Sequence, residues 1–211
     1  MVLLLAFQLQ AFGQDILINE VLYNPDGSDD GAEWVEICNA GTDNVDLSGW
    51  ALQNAGTNWS DVFVLEDGFL APGEYLVIGS GSDSHPGSFD PNLQNGGSSS
   101  DGLRLVDASG LVIDTVLYDS PNSNGLLDDL GSTKGGTAPE ASSGHSIGRS
   151  PDCTDTEDST IDFTEFETPS PGVQNAAGGG SGVCELGDVK INEFMANPSG
   201  SDSGAEWVEL Y

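Results

Sequence analysis

The sequence predicts an all-β fold, either a β-sandwich or a β-barrel. Its apolar residues fall in short runs separated by turn residues, and no window shows the period of about 3.6 residues that marks an amphipathic helix. Apolar residues make up 37% of the 211 residues, which is enough for a core. The predicted strands are residues 16–23, 34–38, 45–53, 62–65, 75–78, 103–106, 111–117 and 145–149. Short strands at this spacing are typical of antiparallel sandwiches and barrels.

Acidic residues dominate the charge of the chain. Asp and Glu number 35 against 4 Lys and Arg, so the formal net charge is -31. A surface of this charge repels the phosphates of nucleic acids and of anionic membranes, which bind proteins mainly through Lys and Arg. We therefore expect no direct nucleic-acid partner and no membrane insertion.

Residues 1–13 are predicted to be a signal peptide. They form a short apolar stretch that ends in Ala11-Phe12-Gly13, close to a small-x-small cleavage site. The stretch is too short to span a bilayer, which takes about 20 apolar residues. It lacks a positively charged start, and the alternative is an apolar first strand, but the residues do not alternate as a strand would. We therefore expect a protein that is secreted or displayed at the extracellular cell surface.

The three cysteines predict one disulfide and no zinc site. No two of them have the spacing of zinc ligands. Export favours disulfide formation. The polar surroundings of Cys153 and Cys184 favour that pair, whereas Cys38 lies in an apolar strand and is expected to be a buried thiol.

An internal repeat divides the chain. Residues 18–37 align without a gap to residues 191–210, and 14 of the 20 aligned residues are identical. A repeat at this distance predicts tandem domains, and the glycine-rich stretch that precedes the second copy predicts a flexible linker. The expected organisation is a domain over 14–175, a linker over 176–188 and the truncated start of a second domain over 189–211.

Several motifs in fixed order carry a resemblance to a known family. They are Ile18-Asn-Glu20, Gly31-Ala-Glu-Trp-Val-Glu36, Val45-Asp-Leu-Ser-Gly-Trp50, Leu70-Ala-Pro-Gly-Glu-Tyr75, Ser146-Ile-Gly-Arg149 and Thr168-Pro-Ser-Pro-Gly172. Together they resemble the bacterial lamin tail domain family over residues 16–175, and the opening motifs recur in the second copy. The resemblance implies an immunoglobulin-like antiparallel β-sandwich, exported by bacteria and often found in tandem or beside hydrolase and surface-anchoring modules. It implies no catalytic residues.

The tryptophans are expected to serve packing. Trp34 and Trp50 lie in strand patterns, and we expect both to fill the space between the two sheets. Trp59 lies in a polar stretch over residues 54–61. We expect Trp59 to pack at a sheet edge, and the alternative is an exposed aromatic that contacts a ligand.

One motif suggests catalysis, but its surroundings do not fit. Gly144-His-Ser-Ile-Gly148 matches the nucleophile elbow Gly-x-Ser-x-Gly, which holds a serine on a sharp turn between a strand and a helix. A loop precedes it, and Arg149-Ser-Pro151 cannot begin a useful helix. No pair among the 35 acids stands out as a glycosidase acid and base. We therefore predict no enzymatic activity and no catalytic residues.

Two acidic loops are candidate calcium sites, because calcium takes about six to eight oxygen ligands and loops rich in Asp supply them. The first begins like a helix-loop-helix calcium loop, but Ile37 occupies the position of its bidentate acid, and the flanks are predicted strands. The candidate ligands are Asp26, Asp29, Asp30 and Glu33 in the first loop, and Asp152, Asp155 and Asp158 in the second. The alternative is that both loops are simply solvated. Calcium is the only cofactor that the sequence suggests.

The predicted function is a non-catalytic binding or structural module of an exported, cell-surface bacterial protein. A rigid sandwich would present its loops to an extracellular macromolecule, either a protein or a polysaccharide. The alternative is an accessory domain of a secreted hydrolase, such as a nuclease or phosphatase, whose catalytic part lies outside this chain.

Overall fold

The computed structural model describes residues 15–27, 31–79, 91–128, 130–133, 136–175, 191–195 and 207–210. The chain forms two compact units, Met1–Gly179 and Gly180–Tyr211. The predicted signal peptide and linker lie outside the described residues. Within those residues, no helix is long and apolar enough to cross a membrane.

Short strands make up almost all of the regular structure. In chain order the elements are β1 (Ile16–Leu22), β2 (Trp34–Asn39), β3 (Val45–Asp46), β4 (Ala51–Ala55), β5 (Ser60–Val64), β6 (Phe69–Leu70), β7 (Tyr75–Gly79), β8 (Ser100–Val106), β9 (Val112–Asp119), β10 (Ser146–Arg149), α1 (Ser159–Asp162), β11 (Phe163–Phe166), β12 (Ile191–Met195) and β13 (Trp207–Leu210). The four-residue α1 agrees with the absence of a helical period in the sequence.

Two antiparallel sheets form the first unit. The first sheet has the order β11-β10-β1-β2-β7 and the second has the order β5-β4-β8-β9, while β3 and β6 form a separate pair. The core lies between the two sheets, where Ile18 and Ile37 of the first meet Leu52 and Leu103 of the second in one apolar cluster. This is the immunoglobulin-like β-sandwich that was predicted.

The predicted strand over residues 45–53 is in fact two strands, β3 and β4, separated by a tight turn. The Trp50 N–H donates to the Leu47 carbonyl at 3.0 Å, and Gly49 has φ +79°. Glycine adopts this conformation without a steric penalty. The turn carries Leu47 and Trp50 into the core at 1% and 5% exposure, which explains why the apolar pattern continued through it.

The core prediction is confirmed for Trp50 and wrong for Trp34. Trp50 belongs to the central apolar cluster, together with Val35 and Ile37. Trp34 alternates with those two β2 residues and therefore faces the outer side of the first sheet. All six residues of β2 are buried, because later segments cover that outer side as well. A strand buried on both faces has no alternation that reveals which side is inner.

A disulfide joins Cys38 to Cys153, so the predicted pair Cys153–Cys184 is wrong. Cys38 is fully buried in β2, but it alternates with inward-facing Ile37 and so faces the outer side of the sheet, where the chain returns after β10. The apolar pattern of the strand around Cys38 does not show that a later segment of the chain covers this side of the sheet. Cys184 lies outside the described residues. The bond links residues 115 apart in sequence and fastens the C-terminal part of the domain to β2.

The second unit contains the hairpin β12–β13, which repeats the pairing of β1–β2. Glu193 lies opposite Glu209, and the register shifts just before Glu193. In the first unit Glu20 lies opposite Glu36, and the register shifts just before Glu20. The backbone pairing therefore repeats at the same distance along the chain as the sequence does. The extent of a second domain over 189–211 stays a prediction.

Candidate functional site

A buried polar group lies on the outer side of the first sheet. We call it the outer-face cluster, and its members are Asn19, Glu20, Glu36, Asp152 and Asn175. The exposures of Asn19, Glu20 and Glu36 are all 0%, and that of Asn175 is 4%. The register of β1 and β2 shifts between Ile18 and Glu20, which leaves Asn19 as the extra residue of a β-bulge. The bulge allows two consecutive polar side chains to contribute to one cluster.

The two glutamates of the cluster hold the C-terminal segment of the domain, residues 168–175. Glu20 accepts hydrogen bonds from the Ser170 N–H at 3.0 Å and from the Ser170 hydroxyl at 2.9 Å. Glu36 accepts the Gly172 N–H at 2.6 Å. Carboxylates thus bind this segment much as a neighbouring strand would.

Asp152 and Asn19 connect this segment to the disulfide. The Asn19 amide donates to Glu36 at 2.9 Å and to Asp152 at 3.0 Å, and its oxygen accepts the Cys153 N–H at 2.9 Å. The other oxygen of Asp152 accepts the Tyr75 hydroxyl at 2.6 Å. Asp152, a predicted calcium ligand, therefore has a protein partner for each oxygen.

Gly148 allows the C-terminal segment to lie close to the sheet. The Asn175 side chain crosses it and donates to the carbonyls of Asn19 and Arg149, each at 3.1 Å. A Cβ on Gly148 would lie 2.8 Å from the Asn175 amide nitrogen and 2.9 Å from the Phe166 ring. No other residue fits there without moving the segment or the ring.

Burial controls the protonation of the two glutamates. Loss of hydration raises the pKa of Glu36 to about 7, although the hydrogen bonds that Glu36 accepts act to lower it. Burial also raises the pKa of Glu20 in the same way. A carboxyl whose pKa is raised in the folded state stabilises the fold below its unfolded pKa, and this contribution is lost as the pH rises through the folded pKa. For Glu36 that loss extends up to about pH 7.

Arg149 joins the two sheets of the sandwich. Its guanidinium is 1% exposed and contacts both oxygens of Asp114 at 3.0 Å, Asp155 at 2.9 Å and Asp162 at 3.2 Å. Its Nε donates to the Ile18 carbonyl at 2.8 Å. Arg149 lies in β10 of the first sheet and Asp114 in β9 of the second. Burial disfavours the charged guanidinium, but the charges of Asp114 and Asp155 raise the pKa of Arg149.

In the second predicted calcium loop, Asp155 pairs with Arg149 and Asp158 caps α1. Although burial opposes ionisation, the charge of Arg149 lowers the pKa of Asp155. Asp158 is the N-cap of α1 and accepts the Thr160 N–H at 3.0 Å. The structure gives Asp152, Asp155 and Asp158 separate partners and does not bring the three together. Across the described residues, no group of three or more His, Cys, Asp or Glu side chains suits a metal ion.

The acids of the first predicted calcium loop are only partly described. Asp26 accepts the Ser143 hydroxyl at 3.1 Å. Glu33 is 2% exposed and accepts the Leu93 N–H at 2.6 Å. Asp29 and Asp30 lie outside the described residues, so calcium binding at this loop stays a prediction.

The serine of the Gly-x-Ser-x-Gly match lies within a β-strand. Ser146 belongs to β10, is 0% exposed, and donates its hydroxyl to Glu20 at 2.5 Å. The neighbouring His145 turns away, with Nδ1 2.7 Å from Glu165. The segment therefore lacks the strand-turn-helix geometry that a nucleophile elbow needs.

Trp59 has a packing role, as expected. It is half-buried against Ala55, Leu117 and Leu126. The Arg104 guanidinium lies over its ring, 4.4 Å from the centroid. One face of the indole is thus covered by a cation from its own domain.

Comparison with known proteins agrees with the fold. Among curated proteins, none matches this chain. The profile of the lamin tail domain family matches residues 10–120, just over half of the chain. The matched region contains the strands from β1 to β9, while β10, β11 and the C-terminal segment lie beyond it in the same sandwich. The family is an immunoglobulin-like structural domain. The chain therefore belongs to the lamin tail domain family.

Proposed function

We propose that this lamin tail domain is a non-catalytic binding and structural module of an exported protein. One observation carries the proposal: the side chains with the chemistry of an active site are used to hold the domain together. Ser146 donates to Glu20, Glu20 and Glu36 hold the C-terminal segment, and Arg149 ties the sheets together. What such a domain offers a partner is a rigid scaffold with loops at its ends.

The disulfide supports export. Disulfides persist in oxidising compartments and are rare in the cytosol, where thiols stay reduced. The Cys38–Cys153 bond is structural, because it fastens the strand after the first loop to the segment that follows β10. A domain that carries this bond is suited to the cell surface or the extracellular medium.

One end of the sandwich supports a role in binding. Three turns meet there, which we call the turn end: residues 47–50, 65–69 and 107–111. The Gly49 N–H donates to the Leu65 carbonyl at 2.7 Å, and a Cβ on Gly49 would lie 3.2 Å from the Ala108 side chain.

The turn end exposes large apolar side chains. Phe69 is 70% exposed and Leu111 is 49% exposed. Exposed apolar groups on connected turns are typical of a surface that contacts another macromolecule. Glu66 and Asp67 give this end an acidic rim. These features favour a protein partner over a polysaccharide.

Co-sedimentation with cell envelopes tests the binding role. The full chain should sediment with envelopes of the cells that make it, and Phe69→Ser should raise the Kd for the envelopes about tenfold, as expected for a residue that contributes about 1.4 kcal/mol. Ile161→Ser is the matched control, because Ile161 is 66% exposed on α1, outside the turn end. Equal binding by both variants, or no binding by the wild type, would refute this role.

Hydrolase assays test the non-catalytic part of the proposal. The full chain should show no activity toward ester, phosphodiester or glycoside substrates that Ser146→Ala or Glu36→Gln abolishes. A rate that disappears in either variant while the fold remains intact would overturn the proposal.

A further inference from the structure

Two further acids outside the outer-face cluster, one buried and one half-buried, each have a buried oxygen without a hydrogen-bond partner among the described residues. Asp101 in β8 is 4% exposed, and its Oδ2 is buried without a hydrogen-bond partner among the described residues. Asp119 at the end of β9 likewise has a buried Oδ2 with no partner in that part of the chain. Every other buried carboxylate discussed above accepts hydrogen bonds, so this pair is an exception that calls for a ligand.

A small recess lined by oxygen atoms lies beside Asp101. Residue 56 is a glycine, and a Cβ on it would lie 3.4 Å from Asp101 Oδ1 and 3.4 Å from the Gln94 side-chain oxygen. The space that a methyl group would fill is thus open between a carboxylate and an amide oxygen. This opening is an observation separate from the missing partners of the acids.

The walls of the recess are held in place by hydrogen bonds from side chains to backbone carbonyls. The Asn124 amide donates to the carbonyls of both Gly56 and Ser100, at the end of β4 and the start of β8. The Tyr118 hydroxyl donates to the Gln94 carbonyl at 2.9 Å. A site on rigid elements is preorganised for its ligand and loses little entropy on binding.

We infer that Asp101 and Asp119, with the side-chain oxygen of Gln94, bind a calcium ion. Two carboxylates match the charge of a divalent cation, and all three groups are hard oxygen donors. Calcium fits better than magnesium, because it accepts irregular geometry and completes its shell with carbonyls and water. The site differs from both acidic loops that the sequence suggested.

Asp119 lies close enough to Asp101 for its charge to act on that residue. Burial, and then the charge of Asp119, raise the pKa of Asp101 to about 6. The repulsion between the two acids and the cost of burying Asp101 are both relieved when a cation enters.

Thermal unfolding of the full chain in calcium, magnesium and sodium chloride at matched ionic strength tests the site. With a Kd of ~1 mM, ~10 mM calcium should raise the ratio of folded to unfolded protein about tenfold, and the increase should saturate. Asp101→Asn should abolish the calcium-specific increase. Asp67→Asn should preserve it, because Asp67 is an exposed acid on a turn.

Terbium luminescence gives a second, direct measurement. Terbium replaces calcium in oxygen sites, and Tyr118 lies opposite Asp101 in the strand pair, where it can sensitise the emission. We expect emission that calcium displaces in the wild type and that is lost in Asp119→Asn, which serves if Asp101→Asn fails to fold. Three results would overturn the inference: identical curves for the three salts, a calcium effect that survives Asp101→Asn and Asp119→Asn, or one that is lost in Asp29→Asn or Asp155→Asn instead.

Discussion

Replacing Arg149 by methionine tests how the two sheets are held together. Methionine keeps an unbranched side chain of similar reach, so packing against the Phe163 ring, 4.8 Å from the guanidinium carbon, is largely retained. What is removed is the charge and its hydrogen bonds. Asp114 and Asp162, at 2% and 4% exposure, then remain buried without their cation.

The burial of these two carboxylates determines how much free energy of unfolding Arg149→Met should lose. Breaking a buried ion pair by removing one partner costs about 3–5 kcal/mol, because the remaining charge is uncompensated. A domain of this size has about 5–15 kcal/mol of stability in total, so Arg149→Met removes about a fifth or more of it. Arg149→Lys should fall in between, because a single ammonium cannot contact Asp114 and Asp155 with the forked geometry of arginine.

Urea denaturation at pH 7 measures this loss as a lower midpoint. Arg104→Met is the matched control, because Arg104 is only half-buried, stacks on Trp59, and donates from Nε to the side chain of Gln53 at 2.6 Å. Arg104→Met should lose about 1 kcal/mol of the free energy of unfolding. If Arg149→Met loses no more than this control, the buried ion pairs do not hold the sheets together.

Three further predictions concern the C-terminal segment. Replacing Cys38 and Cys153 together by alanine should cost about 2–5 kcal/mol, since the bond closes a loop of 115 residues, and reductant should then have no further effect on the urea midpoint. Gly148→Ala should cost about 1–3 kcal/mol and speed proteolysis near Asn175, whereas unchanged protection would show that the segment does not need this close approach. Glu36→Gln should flatten the dependence of melting temperature on pH. Because burial raises the pKa of Glu36 to about 7, the wild type should lose stability relative to the variant as the pH rises from about 5 to 7. A difference in melting temperature that does not change with pH would contradict this assignment.

The sequence predicted the sandwich well because its strands alternate with strong turn residues. The chain after β10 was harder to interpret. β11 was not predicted, since Phe163-Thr-Glu-Phe166 is short and follows directly on α1, with no turn residues between them. The disulfide was paired wrongly because a strand pattern does not show that a segment distant in sequence covers Cys38.

The outer-face cluster was not predicted, although its residues lie in the most prominent motif. In a chain with 35 acids, Glu20 and Glu36 look like the surface acids around them. What distinguishes them is burial on the outer side of a sheet, and that burial depends on a segment more than 130 residues away, as the bonds from Gly172 to Glu36 and from Ser170 to Glu20 show. One signal was available: an acid between two apolar residues of a predicted strand is unusual unless a partner satisfies it.

The residues that the internal repeat shares have a defined role in the fold of the first unit. The identical residues of the two copies include the Asn-Glu pair at the bulge and the glutamate opposite it, which in the first unit are Asn19, Glu20 and Glu36. These three residues contribute little to the apolar core, so packing alone does not require their identity in both copies. They are the residues that fix the bulge and accept the amides of the C-terminal segment. In the first unit, a β-hairpin with buried carboxylates thus receives a segment that the chain supplies more than 130 residues later.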